Sequence, residues 1–305
     1  MCTTCGCGGL KSISDVNGRS IELPHHDHDH GHDGHMHDGH THDHGHEHAH
    51  GHSHDHHDHG HDHAHRVHGA THSHTHEDSA AKVKSRTVLL EQEILAKNGR
   101  LAERNRGWLA ARRVLALNLV SSPGSGKTTF LERTLRDLRG KLGISVIEGD
   151  QETANDADRI RAAGARAVQI NTGTGCHLDA EAVGLALEQL DPQAGTVAMI
   201  ENVGNLVCPA LFDLGERAKV AILSVTEGED KPLKYPHMFR ASQLIVLNKV
   251  DLLPYVQFDM QRCLGYVHDV NPTARVLQVS ATRGDGMSDW YSWLNEHVKM
   301  QVRPS

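Results

Sequence analysis

The stretch VLALNLVSSPGSGKTT, residues 114–129, decides the fold of this chain. An apolar run rich in β-formers, 114–120, leads directly into SSPGSGKTT, and the residues that follow have the pattern of a helix. Apart from Ser121 in place of the first glycine, the segment matches the phosphate-binding loop G-x-x-x-x-G-K-[ST]. The sequence therefore predicts a nucleotide phosphate site between a strand and the N-terminus of a helix.

The residue types of this loop fit that chemistry. Its glycines let backbone N–H groups turn toward the phosphates. Lys127 would reach the β- and γ-phosphates, and the Thr128 hydroxyl would ligate Mg²⁺. The predicted nucleotide contacts are Gly124, Ser125, Gly126, Lys127, Thr128 and Thr129.

Strands and helices alternate from Val114 onward. Most of the intervening stretches read as helical, and the predicted strands are 114–120, 144–148, 167–170, 196–201, 219–225, 243–248 and 275–280. These strands are apolar on both faces, which is typical of a buried parallel sheet. We predict an α/β fold, a mainly parallel sheet with helices on both faces and ligands at the carboxyl ends of the strands.

A second motif predicts which base is bound. NKVD, residues 248–251, follows the sixth predicted strand, and SAT, residues 280–282, follows the seventh. Asp251 can accept hydrogen bonds from the N1–H and amino group of guanine, a donor pair that adenine lacks. Asn248 would hold the loop, Lys249 would lie over the base, and Ser280 and Ala281 would supply a backbone contact. The pattern predicts GTP and GDP as ligands.

Two further strand ends carry carboxylates. IEGD closes the second predicted strand and places Asp150 beside the phosphate loop, where it would bind Mg²⁺ or position the attacking water. ENVG, residues 201–204, stands where GTPases have a D-x-x-G switch, with Glu201 replacing Asp. Gly204 would donate its N–H to the γ-phosphate, and the longer Glu201 arm would reach the metal through water. No residue is identified as the base that activates water.

Residues 25–78 differ sharply in composition from the rest of the chain. They hold 25 of the 29 histidines, eleven acidic residues and one arginine, a charge of −10 that leaves +2 for the remainder. We predict that this tract is disordered without metal, because it has too little apolar surface to offset its ordering entropy. Imidazoles suit Ni²⁺, Zn²⁺ and Cu²⁺, so we interpret it as a metal buffer rather than a solvated spacer or a purification tag.

Composition also argues against several classes of protein, namely nucleic-acid-binding, membrane-spanning and secreted proteins. The near-neutral remainder has no electrostatic footprint for nucleic acid. No apolar run approaches the roughly 20 residues of a membrane span, and the first residues lack the apolar core of a signal peptide. We therefore expect a cytoplasmic protein, in which six cysteines favour metal or redox chemistry over disulfides.

Cysteines form two candidate metal sites. Cys2, Cys5 and Cys7 lie near a free terminus, where three thiolates can wrap a square-planar Ni²⁺ with a backbone or α-amino nitrogen as fourth donor.

The second candidate metal site comprises Cys176, His177 and Cys208. The alternative for Cys176 is a reactive thiol at a helix N-terminus. Since Cys208 follows the ENVG switch, we expect its metal affinity to depend on the nucleotide.

The chain thus divides into four predicted regions. Before the α/β domain, Thr87, Ile94, Leu101 and Trp108 recur every seven residues, which predicts one or two amphipathic helices packed on that domain. The regions are the cysteine motif 1–24, the His-rich tract 25–78, the helical lead-in 79–113 and the nucleotide-binding domain 114–305.

These motifs together resemble one known family. CTTCGCG at the start, the His-rich tract, SSPGSGKTT, IEGDQ, GCH, ENVGNLVCP, KPLKYP and NKVD are similar to the HypB family of hydrogenase nickel-incorporation GTPases. The resemblance covers the first seven residues and Val114 to the end. It implies a P-loop GTPase of the SIMIBI type, whose members dimerise across bound nucleotide.

The resemblance also implies a function and partners. Such a protein hydrolyses GTP slowly and delivers Ni²⁺ to the large-subunit precursor of [NiFe] hydrogenase, with a HypA-type metallochaperone as partner. Cys2, Cys5 and Cys7 match the family's nickel motif, and Cys176, His177 and Cys208 match its G-domain site for Ni²⁺ or Zn²⁺. The alternatives are a urease-type nickel GTPase and a protein that chiefly stores nickel. A C-x-x-C redox protein is disfavoured, because no thioredoxin-like unit follows those cysteines.

Overall fold

The computed structural model describes residues 12–14, 19–22, 77–150 and 155–302. The chain divides into two units, one of residues 1–25 and 87–305 and the other of residues 26–86. Of the second unit, the structure describes the helical backbone of residues 77–86. Cys2, Cys5, Cys7 and almost all of the His-rich tract lie outside the described residues, so their predicted roles stay predictions.

Nine strands of the described residues form one sheet, in the order β2-β1-β5-β4-β6-β3-β7-β8-β9. The pairs among β3 to β9 are parallel, and those of β1 with β2 and with β5 are antiparallel. The strands are β1 Ser12–Ser14, β2 Ser20–Glu22, β3 Leu115–Ser121, β4 Ile144–Asp150, β5 Arg166–Asn171, β6 Val197–Glu201, β7 Ala218–Ser224, β8 Leu244–Asn248 and β9 Arg275–Gln278. All seven strands predicted from the sequence are confirmed as β3 to β9.

Helices cover both faces of the sheet, as predicted. They are α1 Glu77–Arg112, α2 Lys127–Leu138, α3 Asn155–Ala162, α4 Ala180–Leu190, α5 Cys208–Leu211, α6 Lys231–Lys234, α7 Pro236–Ala241, α8 Met260–Val270 and α9 Met287–Val302, with a 3₁₀ helix at Val250–Tyr255. In the described residues, none of these helices has the combination of length and apolar content that a membrane crossing requires.

Alternation along β3 explains why both faces need helices. Leu117 packs in one cluster with Phe130 of α2 and Trp290 of α9. The neighbouring Ala116 lies in another cluster with Leu109 of α1. Because burying one leucine side chain contributes about 2 kcal/mol, a strand that is apolar at successive positions is stable only between two covered faces.

The strands β1 and β2 have no counterpart among the predicted strands, since residues 1–24 were interpreted as a cysteine motif with a short polar stretch. Ile13 of β1 is fully buried and lies opposite Ile170 of β5. A segment of three residues with one apolar side chain is too short to show the alternation of apolar and polar residues that predicts a strand. Here the free edge of β5 supplies the hydrogen-bond partners.

Helix α1 begins two residues before the predicted helical region. It packs on the domain, but the residues that it buries differ from those of the predicted seven-residue pattern. Ile94 is 47 % exposed, whereas Asn98, Ala102, Asn105 and Leu109 are buried. The seven-residue pattern therefore matches the buried face only in part, since Trp108 packs against the cluster that contains Leu109 whereas Ile94 is exposed. Two asparagines occupy that face because their side chains bond the backbone at Asp213 O, Ala180 O and Leu214 O.

Candidate functional site

The phosphate-binding loop follows β3 and ends where α2 begins at Lys127. Gly126 has a φ of +90°, a left-handed backbone conformation that residues with a side chain rarely adopt. A Cβ atom added there would lie 2.7 Å from Nδ2 of Asn248. Any residue other than glycine is therefore disfavoured at position 126 for two reasons, the left-handed backbone conformation and the close approach of Asn248.

The substitution Gly126→Ala is expected to lower GDP affinity by about tenfold or more, because strain of roughly 1–3 kcal/mol would fall on the loop. Titration with a fluorescent GDP analogue measures the effect. Gly140→Ala is the matched control, since Gly140 has a φ of +75° and an added Cβ would meet no atom within 4 Å. Equal GDP affinities for the two variants would contradict a nucleotide site at Gly126.

The two segments predicted to recognise the base lie beside the phosphate loop. Asn248 joins them, because its Nδ2 donates to Ser125 O at 3.0 Å and its Oδ1 accepts from Ala281 N at 3.1 Å. Lys249 Nζ donates to Gly124 O at 2.6 Å, and Ser280 is fully buried. The structure thus brings the segments 121–129, 248–251 and 280–282 together.

Asp251 offers a specific test of whether guanine fits. Its Oδ1 is buried and receives no hydrogen bond from the described residues. A buried acceptor without a donor destabilises a site by about 1–3 kcal/mol. The N1–H and amino group of guanine are the kind of donors that would satisfy this carboxylate, so the residues present fit a guanine nucleotide.

Thr128 lies at the centre of a group of carboxylates. Its Oγ1 donates to Glu201 Oε1 at 2.6 Å and lies 3.2 Å from Asp156 Oδ2. Lys127 Nζ also binds Glu201 Oε1, at 2.9 Å, and Glu201 is buried. A hydroxyl surrounded by carboxylate oxygens is the donor set that Mg²⁺ prefers. Asp156 was not predicted, because residue type alone does not reveal that α3 brings it to Thr128.

The other predicted residues of the switch region lie at the same edge of the sheet. Asp150 closes β4, next to β6, which ends at Glu201. A Cβ atom added to Gly204 would lie 3.3 Å from Cα of Pro123 in the phosphate loop. The segment after β6 therefore passes directly against that loop. Thr129 lies on α2 and is half-buried.

Glu148 is a further carboxylate that the sequence analysis missed. It pairs in register with Glu201 across β4 and β6, and its Oε2 is buried without a partner among the described residues. Burial, followed by the charges of Glu201 and Asp150, raises the pKa of Glu148 to about 9. The raised pKa favours the neutral form of Glu148 at pH 7. Its position in IEGD could have suggested a role only if its burial had been known.

This pKa predicts a pH dependence of the free energy of unfolding. The folded chain keeps the Glu148 proton up to about pH 9, whereas the unfolded chain releases it near 4.5. The contribution of this proton to the free energy of unfolding is thus fully present below about pH 4.5 and is lost as the pH rises toward 9. Glu148→Gln keeps a neutral side chain, so its stability relative to the parent should rise between pH 5 and 9. Urea unfolding of the nucleotide-free chain in a chelator measures the difference, and a constant difference would contradict the assignment.

The second cysteine cluster is formed by the loop before α4 and the first residue of α5. Cys176, His177 and Cys208 have ligand atoms within 4.8 Å of one another, and all three residues are half-buried. The two Sγ atoms are 2.9 Å apart, and Cys176 Sγ lies 3.6 Å from His177 Nδ1. The His177 ring packs on Phe212 with a centroid distance of 3.9 Å. Burial lowers the pKa of His177, which favours the neutral imidazole that binds metals.

These observations define the class of protein. A mainly parallel sheet and a phosphate-binding loop after β3, with the NKVD and SAT motifs after β8 and β9, are the fold of a P-loop GTPase domain. The sequence model of the family described as "CobW/HypB/UreG, nucleotide-binding domain" matches residues 115–278. The chain belongs to this family and, within it, to the HypB hydrogenase maturation factors.

Three similar proteins illustrate the relationship. The hydrogenase maturation factor HypB of Escherichia coli K12 is 59% identical over 209 residues, which cover 68% of this chain and 72% of that protein. The crystal structure of HypB from Archaeoglobus fulgidus has a TM-score of 0.63 at 38% identity, covering 67% of this chain and 99% of that one. The structure of HypB from Helicobacter pylori in complex with nickel has a TM-score of 0.63 at 34% identity, covering 68% and 98%.

Proposed function

We propose that this protein is a GTP-hydrolysing nickel metallochaperone that works in the cytoplasm. It would bind Ni²⁺ and deliver it, in a GTP-dependent step, to the large-subunit precursor of [NiFe] hydrogenase. One observation carries the proposal. Glu201 contacts Lys127 and Thr128 of the phosphate loop, and Cys208 of the thiol cluster lies seven residues further along the same segment.

In the proposed delivery of nickel, GTP is bound and hydrolysed by the residues around the phosphate loop. Asn248, Lys249 and Asp251 would hold guanine, while Thr128, Glu201 and Asp150 would hold Mg²⁺ with the phosphates. Bound GTP supplies the γ-phosphate that is lost when GTP becomes GDP and phosphate. We propose that hydrolysis is slow and gates the transfer of metal, since no water-activating base is identified.

The metal half of the cycle uses Cys176, His177 and Cys208. Two thiolates and a neutral imidazole suit both Ni²⁺ and Zn²⁺. Three donors from one chain leave a four-coordinate ion one ligand short, so water or a second protomer would complete the shell. The nickel-bound relative from H. pylori favours Ni²⁺ as the cargo.

The other parts of the chain would support this transfer. Cys2, Cys5 and Cys7 would hold an ion tightly near the terminus, and the His-rich tract would concentrate nickel. The proposed partners are a HypA-type metallochaperone and a second copy of this chain, with dimerisation dependent on the nucleotide. These assignments rest on the family resemblance.

The nucleotide dependence of metal affinity tests the proposal. Ni²⁺ affinity of the full-length Cys2/Cys5/Cys7→Ser protein would be measured with GDP and with a GTP analogue, at free Ni²⁺ set by a competing chelator. The thiolate-to-nickel charge-transfer absorption reports the remaining cysteines and not the His-rich tract, which contains no thiol. We expect different affinities for the two nucleotide states, and equal affinities would contradict the proposal.

A storage role is the second candidate, favoured by the 25 histidines within residues 25–76. Deleting residues 25–76 separates the two. Under the storage hypothesis, hydrogenase maturation in the deletion strain recovers fully in nickel-replete medium. Persistent failure in that medium would assign the tract a role in delivery. A urease-type nickel GTPase is distinguished by which enzyme, hydrogenase or urease, loses nickel in a gene deletion.

A further inference from the structure

A chain of buried polar side chains runs from the phosphate loop to both segments of the thiol cluster, which is the group Cys176, His177 and Cys208. It begins at Asn202, the residue after Glu201, whose own carboxylate binds Lys127 and Thr128. Asn202 is fully buried, and its backbone N donates to Leu119 O at 3.0 Å. Asn202 is thus a buried side chain one residue from the carboxylate that contacts the phosphate loop.

The first arm of this chain reaches the loop of Cys176 and His177. Asn202 Oδ1 accepts hydrogen bonds from Leu178 N at 3.1 Å and from Val203 N at 3.0 Å. Leu178 directly follows His177 in the sequence. The residue after His177 is thus held by a hydrogen bond to the residue next to Glu201.

The second arm runs under the sheet to the segment of Cys208. Asn202 Nδ2 donates to Asn118 Oδ1 at 3.2 Å, and Asn118 Nδ2 donates to Glu216 Oε1 at 3.0 Å. Glu216 Oε1 lies 3.7 Å from Lys219 Nζ, which donates to Pro209 O at 2.7 Å. Pro209 directly follows Cys208.

Stability alone is a weak explanation for this arrangement. The Glu216 and Lys219 side chains are 6 % and 7 % exposed, and removing such a pair from water costs about as much as its attraction returns. Asn118 stands on β3 between Leu117 and Leu119, at a position where an apolar residue would pack without needing partners. Satisfied polar networks of this kind fix geometry more effectively than they add stability.

We infer that Asn202, Asn118, Glu216 and Lys219 are positioning residues that tie the separation of the Cys176/His177 loop and the Cys208 segment to the position of Glu201. The inference rests on the proposed function and names the route by which nucleotide regulates the metal site. When nucleotide and Mg²⁺ engage Lys127 and Thr128, the contacts of Glu201 change, and Asn202 transmits the change along both arms. Such a network carries coupling if both sites bias its arrangement.

The test removes one link and measures coupling. In the full-length Cys2/Cys5/Cys7→Ser parent, the ratio of Ni²⁺ affinities with GDP and with a GTP analogue is expected to lie between about 5-fold and 150-fold. Lys219→Met keeps the packing but loses the donor to Pro209 O, so the ratio should fall to about twofold or less while the charge-transfer band still forms. Lys219→Arg restores a donor, and Lys219 is among the residues that line a pocket of about 580 Å³. This variant should recover most of the ratio.

Two further variants make every outcome decisive. Ser145→Ala removes a buried hydroxyl that bonds Val197 O near the start of β4, outside both arms, and should leave the ratio unchanged. Asn202→Asp keeps the acceptor for Leu178 N but loses the donor to Asn118, and it replaces Lys219→Met if that variant does not fold. A parent without a nucleotide-dependent ratio overturns the proposed function. A parent with the ratio and variants that retain it overturns this inference alone.

Discussion

Replacing Asp251 with asparagine is expected to change the preferred base from guanine to xanthine. The substitution removes the carboxylate that would accept from the N1–H and amino group, while the new amide can donate to the 2-oxo group of xanthine. Two charge-assisted hydrogen bonds of about 1.5–3 kcal/mol each are lost. GDP affinity should therefore fall roughly 100- to 10,000-fold, and affinity for the xanthosine diphosphate should rise.

Competition of the two diphosphates against a fluorescent GDP analogue measures this change. Asp269→Asn is the control, since it removes the same charge from an exposed position on α8 outside the three nucleotide loops. An Asp251→Asn protein that binds GDP like the parent would exclude Asp251 from base recognition. The orphaned Oδ1 of Asp251 would then require another donor.

Replacing Cys208 with serine is expected to lower Ni²⁺ affinity at the thiol cluster by about 100-fold or more. Loss of an outer partner of a metal ligand already costs 10- to 100-fold, and a hydroxyl is a poor substitute for a soft thiolate. In the Cys2/Cys5/Cys7→Ser background, the thiolate-to-nickel charge-transfer band should weaken and shift, since only Cys176 remains as a thiolate donor at the cluster.

Cys263 provides the matched control for this experiment. It is a buried thiol on α8, and burial raises its pKa to about 11, so it stays protonated. Cys263→Ser should leave both the band and the Ni²⁺ affinity unchanged, whatever it does to stability. Equal losses in the two variants would indicate a general effect on folding and would remove Cys208 from the metal site.

The three segments predicted to bind nucleotide could be located because each is defined by a local sequence motif. A phosphate loop needs glycines and a lysine at fixed spacing between a strand and a helix, and all of its members lie within residues 121–129. NKVD is equally local. Their positions at one edge of the sheet then follow from the rule that parallel strands end together.

The residues that the sequence analysis missed act through long-range contacts. Asp156 reaches Thr128 only because α3 packs beside α2, and the pKa of Glu148 depends on burial next to β6. Likewise Asn98 and Asn105 are buried on α1 because carbonyls from distant segments accept their bonds. A polar side chain in a sequence gives no sign of such a partner, so exposure is the natural assumption for it.

By itself, the sequence determined the seven parallel strands and the phosphate-loop motif, because each is encoded by a period or a motif within a few neighbouring residues. Only the tertiary structure decided that the ligand atoms of the predicted group Cys176, His177 and Cys208 lie within 4.8 Å of one another, that β1 pairs with β5, and that the buried side chains of Asn118 and Asn202 are hydrogen-bonded. Those features depend on contacts between residues far apart in the chain, which form when the sheet and its helices pack.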